Sequence, residues 1–123
     1  MGAFIDDSKP IYAQIAEHIE DEIIRGELAE ESQVPSTNQF AVFYQINPAT
    51  AAKGVNLLVD QGILYKKRGI GMFVKQGARE TLMAKRRDEF YEEYVAVMLQ
   101  EAKKIGITQE QLTEMIQRGE LNR

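Results

Sequence analysis

The chain has 123 residues and a formal net charge of −4; 44% of its residues are hydrophobic, 28% are charged and none is cysteine. That allows one ordinary domain, or a small domain with an appendage, and it excludes disulfides, thiolate zinc sites and cysteine nucleophiles. No apolar run reaches the roughly 18 residues a spanning helix needs and no basic-then-apolar leader is visible, so the expectation is a cytoplasmic chain with no membrane partner.

The charge is unevenly spread. Residues 1–31 hold nine acids and two bases, residues 32–76 hold five bases (Lys53, Lys66, Lys67, Arg68, Lys75) against Asp60, and residues 77–123 stand at −1. A basic middle between acidic ends can present a local positive face on an anionic molecule.

Residues 1–7 offer no pattern and are expected to extend from the body. Ser8 and Pro10 then announce a helix whose apolar stripe is Ile11, Ile15, Ile19 and Ile23, widened by Tyr12 and Ile24 and stopped at Gly26. His18, the only histidine in the chain, reads as a surface or packing residue. Glu27 to Val34 is polar and reads as a loop, with Leu28 dipping inward. In the next stretch, PSTNQFAVFYQ, Ser36 and Gln39 have the spacing of a capping box, and Phe40, Phe43 and Tyr44 are expected as the buried face.

After a tight connection comes NPATAAKGVNLLVDQ. Asn47 is a good N-cap, Pro48 suits the first helical position, and Gly62 suits the stop. Val55, Leu58 and Val59 form a narrow apolar stripe, while Asn47, Thr50 and Lys53 recur every third residue on another face. Ala49, Ala51, Ala52 and Gly54 are small, which suits a helix that must approach another surface closely, and a DNA groove is one such surface. Two short helices this closely joined fit a helix-turn-helix, although spacing alone also fits any small helical hairpin.

Ile63–Tyr65 and Met72–Val74 have β propensity, and between them Lys66, Lys67, Arg68, Gly69, Ile70 and Gly71 make a cationic, glycine-containing tip. Behind a helix-turn-helix, such a hairpin reads as a wing beside a phosphate backbone. The tail, from about Arg79 to Ile105, is one long helical pattern carrying Met83, Phe90, Tyr94, Val97, Met98, Ala102 and Ile105. Gly106 breaks it, and Thr108 with Gln111 caps a second helix with Leu112, Met115 and Ile116 as its apolar face. Two helices of fewer than fifty residues make little core of their own, so an oligomerisation surface is expected. The division expected is residues 1–76 as DNA-binding head and 77–123 as dimerisation region.

One histidine and carboxylates strewn along helix faces supply no converging nucleophile, base or ligand set, so no enzyme activity, metal or cofactor is expected. A small-molecule effector is left unidentified. A gap near Arg87, Tyr91 and Tyr94 is its only candidate place, and interface packing explains those residues more simply.

Taken together, PIYAQIAEHIEDEIIRGEL, VPSTNQFA, INPATAAKGVNLLVDQGIL and KKRGIGMFV resemble the GntR family of transcription regulators, and the short two-helix tail is similar to the YtrA-type branch. The resemblance implies a mainly α fold with a small β-hairpin, that is, a winged helix-turn-helix joined to a C-terminal helical dimerisation region. It further implies a homodimer that binds a palindromic double-stranded operator, usually as a repressor, and in this branch often one that controls ABC-type transporter genes. The family's PSxR motif falls on Pro35, Ser36, Thr37 and Asn38, with Asn38 in place of the usual arginine. The recognition pattern falls on Asn47, Thr50 and Lys53, with Ala52 where many members carry a second basic residue. The wing pattern falls on Arg68, Gly69, Gly71, Phe73 and Val74.

The DNA-contacting set expected is therefore Ser36, Thr37, Asn38, Asn47, Pro48, Ala49, Thr50, Lys53, Lys66, Lys67, Arg68 and Gly69. The dimerisation set expected is Met83, Phe90, Tyr94, Val97, Met98, Ile105, Leu112 and Ile116. The alternative is a winged-helix module that binds a partner protein instead of DNA, which the polar Asn47–Thr50–Lys53 row disfavours.

Overall fold

A computed structural model of the chain describes residues 8–119; residues 1–7, expected to extend from the body, lie outside the described residues. The chain divides into two compact units, Met1–Ala84 and Lys85–Arg123.

The first unit holds α1 (Ile11–Ile24), α2 (Thr37–Tyr44), α3 (Pro48–Asp60), the strands β1 (Leu64–Lys67) and β2 (Gly71–Val74), and the first turns of α4 (Ala78–Phe90). Ile15, Ile19 and Ile23 of α1 are buried with Val55 and Leu58 of α3, Ile63, Leu64 and Val74 of the hairpin region, and Ala78 and Leu82 of α4. Each large aliphatic side chain buried this way contributes about 1.5–3 kcal/mol. Ile11 lies on the same stripe but is 40% exposed, because it is the first residue of the helix and the buried row begins one turn later.

An expectation about bulk is corrected, and one about smallness finds its surface. Phe43, expected in the buried face of α2, is 54% exposed; Phe40 and Ala41 fill the core, and the Phe43 ring lies edge-on against Tyr44 at 5.1 Å. Ala51 and Gly54, expected to let α3 approach another surface such as a DNA groove, face inward. Ala51 is fully buried, and a Cβ added at Gly54 would sit 2.7 Å from the Tyr12 carbonyl oxygen and 3.2 Å from Ile15 Cβ. The close approach that these residues permit is to α1.

The hairpin is antiparallel, with Leu64 opposite Val74, Tyr65 opposite Phe73, Lys66 opposite Met72 and Lys67 opposite Gly71. The segment expected to be plain loop is partly a third edge. Glu31 N–H donates to the Val74 carbonyl at 2.7 Å, Val34 N–H donates to the Met72 carbonyl at 2.9 Å, and Val74 N–H donates to the Ser32 carbonyl at 3.0 Å. Nothing in this polar stretch marks a strand, so its partner is supplied by the outer edge of β2. His18 packs with its ring 5.7 Å from that of Tyr44, in keeping with a packing role.

The second unit contains the remainder of α4, a π-helical turn at Tyr91–Val95, α5 (Ala96–Lys104) and α6 (Gln109–Arg118). The long helix expected from the tail pattern thus carries a π turn, which takes more residues per turn than the α-helix and leaves no mark in the apolar spacing. Thr108 and Gln111 form the expected capping box, with Gln111 N–H donating to Thr108 Oγ1 at 3.1 Å and Thr108 N–H to Gln111 Oε1 at 2.9 Å. Ala102 and Leu112 are buried; Phe90, Tyr91, Tyr94, Val97, Ile105 and Ile116 are all more than half exposed.

Candidate nucleic-acid interface

The start of α2 is set by reciprocal hydrogen bonds: Gln39 N–H donates to Ser36 Oγ at 3.1 Å, and Ser36 N–H donates to Gln39 Oε1 at 2.7 Å. Asn38 is exposed in the first turn beside half-buried Thr37. Helix N-terminal N–H groups favour anions, so a phosphate fits here, but Asn38 adds no charge where an arginine would. Gln45 ends α2 in the left-handed conformation at φ 56°, and Ile46 N–H returns to the Ala41 carbonyl at 3.0 Å. Gln45 turns the chain out of α2, and Ile46 and Asn47 lead it into α3.

Asn47 then caps α3, its Oδ1 accepting from Ala49 N–H at 2.7 Å, with Pro48 in the first turn. Because Ala51, Gly54, Val55 and Leu58 face inward, the outer side of α3 carries Asn47, Pro48, Ala49, Lys53 and Asn56, with Thr50 half-buried among them. Asn56 continues the three-residue spacing of Asn47, Thr50 and Lys53, a signal the sequence held and the expected set omitted. Lys53 does not extend freely into solvent. Its Nζ stands 4.1 Å above the centroid of the Tyr12 ring, within cation–π range. An open cleft of about 550 Å³ runs past them, lined by Tyr12, Ala49, Ala52, Lys53, Asn56, Leu57 and Asp60.

Lys66, Lys67, Arg68 and Gly69 are exposed at the hairpin tip, where Ile70 N–H closes the turn onto the Lys67 carbonyl at 2.9 Å. Gly69 and Gly71 have φ of +78° and +145°, values side chains rarely adopt, so glycine is required to make this tip. Lys67 Nζ lies 4.4 Å above the Phe73 ring, and Phe73 stacks with Tyr65 at 5.9 Å. The Tyr65 hydroxyl donates to Glu31 Oε2 at 2.6 Å, and this hydrogen bond raises the phenol's pKa above its ordinary value. Ile70, 63% exposed at the tip, is a second residue outside the expected set.

Glu22, Gln33, Phe40, Phe43 and Tyr44 are among the residues lining another open cleft, of about 790 Å³. Burial, then the charge of Glu22, pushes the Tyr44 phenol up to about 12. Among the described residues there is no cluster of three or more histidines or carboxylates that would hold a metal ion, and no helix is long and apolar enough to cross a membrane.

Two helices joined through a three-residue connection that opens on left-handed Gln45, the second showing a polar outer side and followed by a basic hairpin, define a winged helix-turn-helix DNA-binding protein. Residues 11–74 match the family described as bacterial regulatory proteins, gntR family. The chain is 30% identical over 109 residues to the HTH-type transcriptional regulator YhcF of Bacillus subtilis, covering 89% of this chain and 88% of YhcF. It is 28% identical over 109 residues to the HTH-type transcriptional repressor YtrA of the same organism, covering 89% and 83% of the two chains.

A GntR family transcriptional regulator from Listeria monocytogenes superposes with a TM-score of 0.74 at 26% identity, over 94% of this chain and 100% of that one. The DNA-binding domain of AraR, solved in complex with operator ORX1, superposes with a TM-score of 0.53 at 31% identity, over 60% of this chain and 89% of that one. The chain belongs to the GntR family, in its YtrA-type branch, and is a DNA-binding transcription regulator rather than an enzyme.

Proposed function

We propose that the chain is a homodimeric repressor that binds a palindromic operator, with residues 1–76 as the reading head and residues 77–123 as the pairing region. The observation that carries this reading is the outer side of α3, polar and singly cationic, followed directly by a wing tip with Lys66, Lys67 and Arg68 exposed. In it, Ser36, Thr37, Asn38, Lys66, Lys67, Arg68 and Gly69 meet phosphates, while Asn47, Pro48, Ala49, Thr50 and Lys53 face base edges. Pairing is supported by the second unit, where Phe90, Tyr94, Val97, Ile105 and Ile116 stay exposed within one chain. A soluble monomer rarely leaves so many large apolar side chains uncovered. Of the rest of the expected pairing set, Met83 and Met98 are half-buried, and Leu112 is already 8% exposed in the single chain.

Two heads related by a two-fold axis read half-sites separated by roughly 10 bp or a multiple of it. The protein acts in the cytoplasm on its own promoter region, and by resemblance to the YtrA-type branch the genes it controls encode an ABC-type transporter. The test combines light scattering for the dimer with footprinting on that promoter region at several salt concentrations. A stable monomer, or no salt-sensitive protection at micromolar protein, overturns the reading.

A further inference from the structure

Tyr12 and Lys53 lie 41 positions apart, and a helix crossing brings them together. Gly54 lets the α1 backbone come so close that a Cβ there would fall 2.7 Å from the Tyr12 carbonyl oxygen. The residue that precedes Gly54 on α3 is Lys53, and its ammonium sits 4.1 Å above the Tyr12 ring. Lys53 is the only basic residue in α3, so the whole positive charge of that helix rests on one aromatic face. Tyr12 is half-buried and held by its backbone, whereas a lysine on an open helix would sample many rotamers.

We infer that Tyr12 is a positioning residue for sequence reading: it holds the Lys53 ammonium at one place beside α3. An ammonium stacked on a ring keeps N–H bonds directed away from that ring, free to donate to an acceptor on a base edge or phosphate. The side chain then loses less freedom when DNA arrives, and its donor meets only acceptors at one position. This rests on the proposal that the outer side of α3 faces DNA.

The test uses the full chain and a duplex selected by it from a random pool, with a shuffled duplex as control. Tyr12→Leu weakens binding to the selected duplex by about 2- to 5-fold, the range of an exposed cation–π contact, and leaves the shuffled duplex nearly unaffected. Tyr12→Phe keeps the ring and binds like the wild type. In a Lys53→Met background, Tyr12→Leu adds no further loss, because the ring has no ammonium left to hold.

Losses that add, or a Tyr12→Phe variant as weak as Tyr12→Leu, overturn the inference. The contact is also read without DNA and without any variant. In the wild-type protein the Lys53 ε-methylene protons show an upfield ring-current shift, and its absence overturns the inference by itself. If that shift is present but no duplex is enriched from the pool, the DNA-facing reading of α3 has failed and the positioning role falls with it, while the contact stands.

Discussion

Gln33 donates its side-chain amide to the backbone carbonyl of Ile70 at 3.0 Å, across 37 positions of sequence. This bond ties the edge segment before α2 to the tip of the hairpin, and Gly71 makes room for it: a Cβ there would lie 2.5 Å from Gln33 Nε2. Gln33→Ala is expected to lower stability by about 0.5–1 kcal/mol, as for a partly solvated hydrogen bond. The sharper readout is local. Amide exchange at the tip, from Arg68 to Gly71, should quicken while α1 and α3 keep their protection; unchanged tip exchange would sink the tether.

Gly54→Ala sets two effects against each other. Alanine is favoured over glycine in a helix by about 1 kcal/mol. The added methyl would meet the Tyr12 carbonyl, a backbone atom, at 2.7 Å, and forcing apart a packed crossing costs about 1–3 kcal/mol. The clash should win, giving net destabilisation of about 1 kcal/mol in urea melts. A stabilised variant would mean that α1 and α3 can separate freely.

The carboxyl of Glu22 is raised above its ordinary value by burial first and Glu27 second, against lesser opposing effects of Arg25 and His18. A carboxyl whose pKa rises on folding holds its proton more tightly in the folded chain. Its contribution to stability is full below the unfolded value and is lost as pH climbs through the raised one. Glu22→Gln removes that loss. The variant should melt above the wild type at pH 7, with the gap closing by about pH 3, below the ordinary carboxyl range. Thermal melts at the two pH values decide it, and a gap that persists at low pH would assign the effect to packing.

Arg68→Ala and Thr50→Val should fail differently on DNA. Removing an exposed wing cation weakens binding to all duplexes alike and lowers the log–log salt slope by about 1. Changing a residue on the outer side of α3 re-ranks duplexes, by about 1–3 kcal/mol at one base pair. Titrations of both variants on matched and mismatched duplexes separate the two roles. Identical behaviour would remove the distinction between gripping and reading.

What could be read from sequence was what neighbouring residues decide. The caps at Ser36, Asn47 and Thr108 depend on partners two or three positions away, and each forms the predicted hydrogen bond. The wing was legible because β-type residues flank a glycine-bearing cationic tip. The misses depended on distant chain. Ala51 and Gly54 look alike whether the surface they approach is a nucleic acid or another helix, and only the crossing with α1 decides. The strand-like edge at Glu31–Val34 has no strand composition, because β2 supplies its order from 40 residues away. For the same reason no periodicity linked Tyr12 with Lys53, and nothing marked Gln45 as the left-handed residue of the turn.

The cap on α3 also narrows an alphabet. With one lone pair of Asn47 Oδ1 taken by the Ala49 amide, the oxygen keeps one acceptor position while both hydrogens on the nitrogen stay uncommitted within the cap. An asparagine free at both ends grips adenine by giving and receiving at once; one with its oxygen turned to the cap gives more readily than it receives. If Asn47 meets a base edge as proposed, the edge it favours is one that receives, such as guanine through O6 or N7, thymine through O4 or adenine through N7.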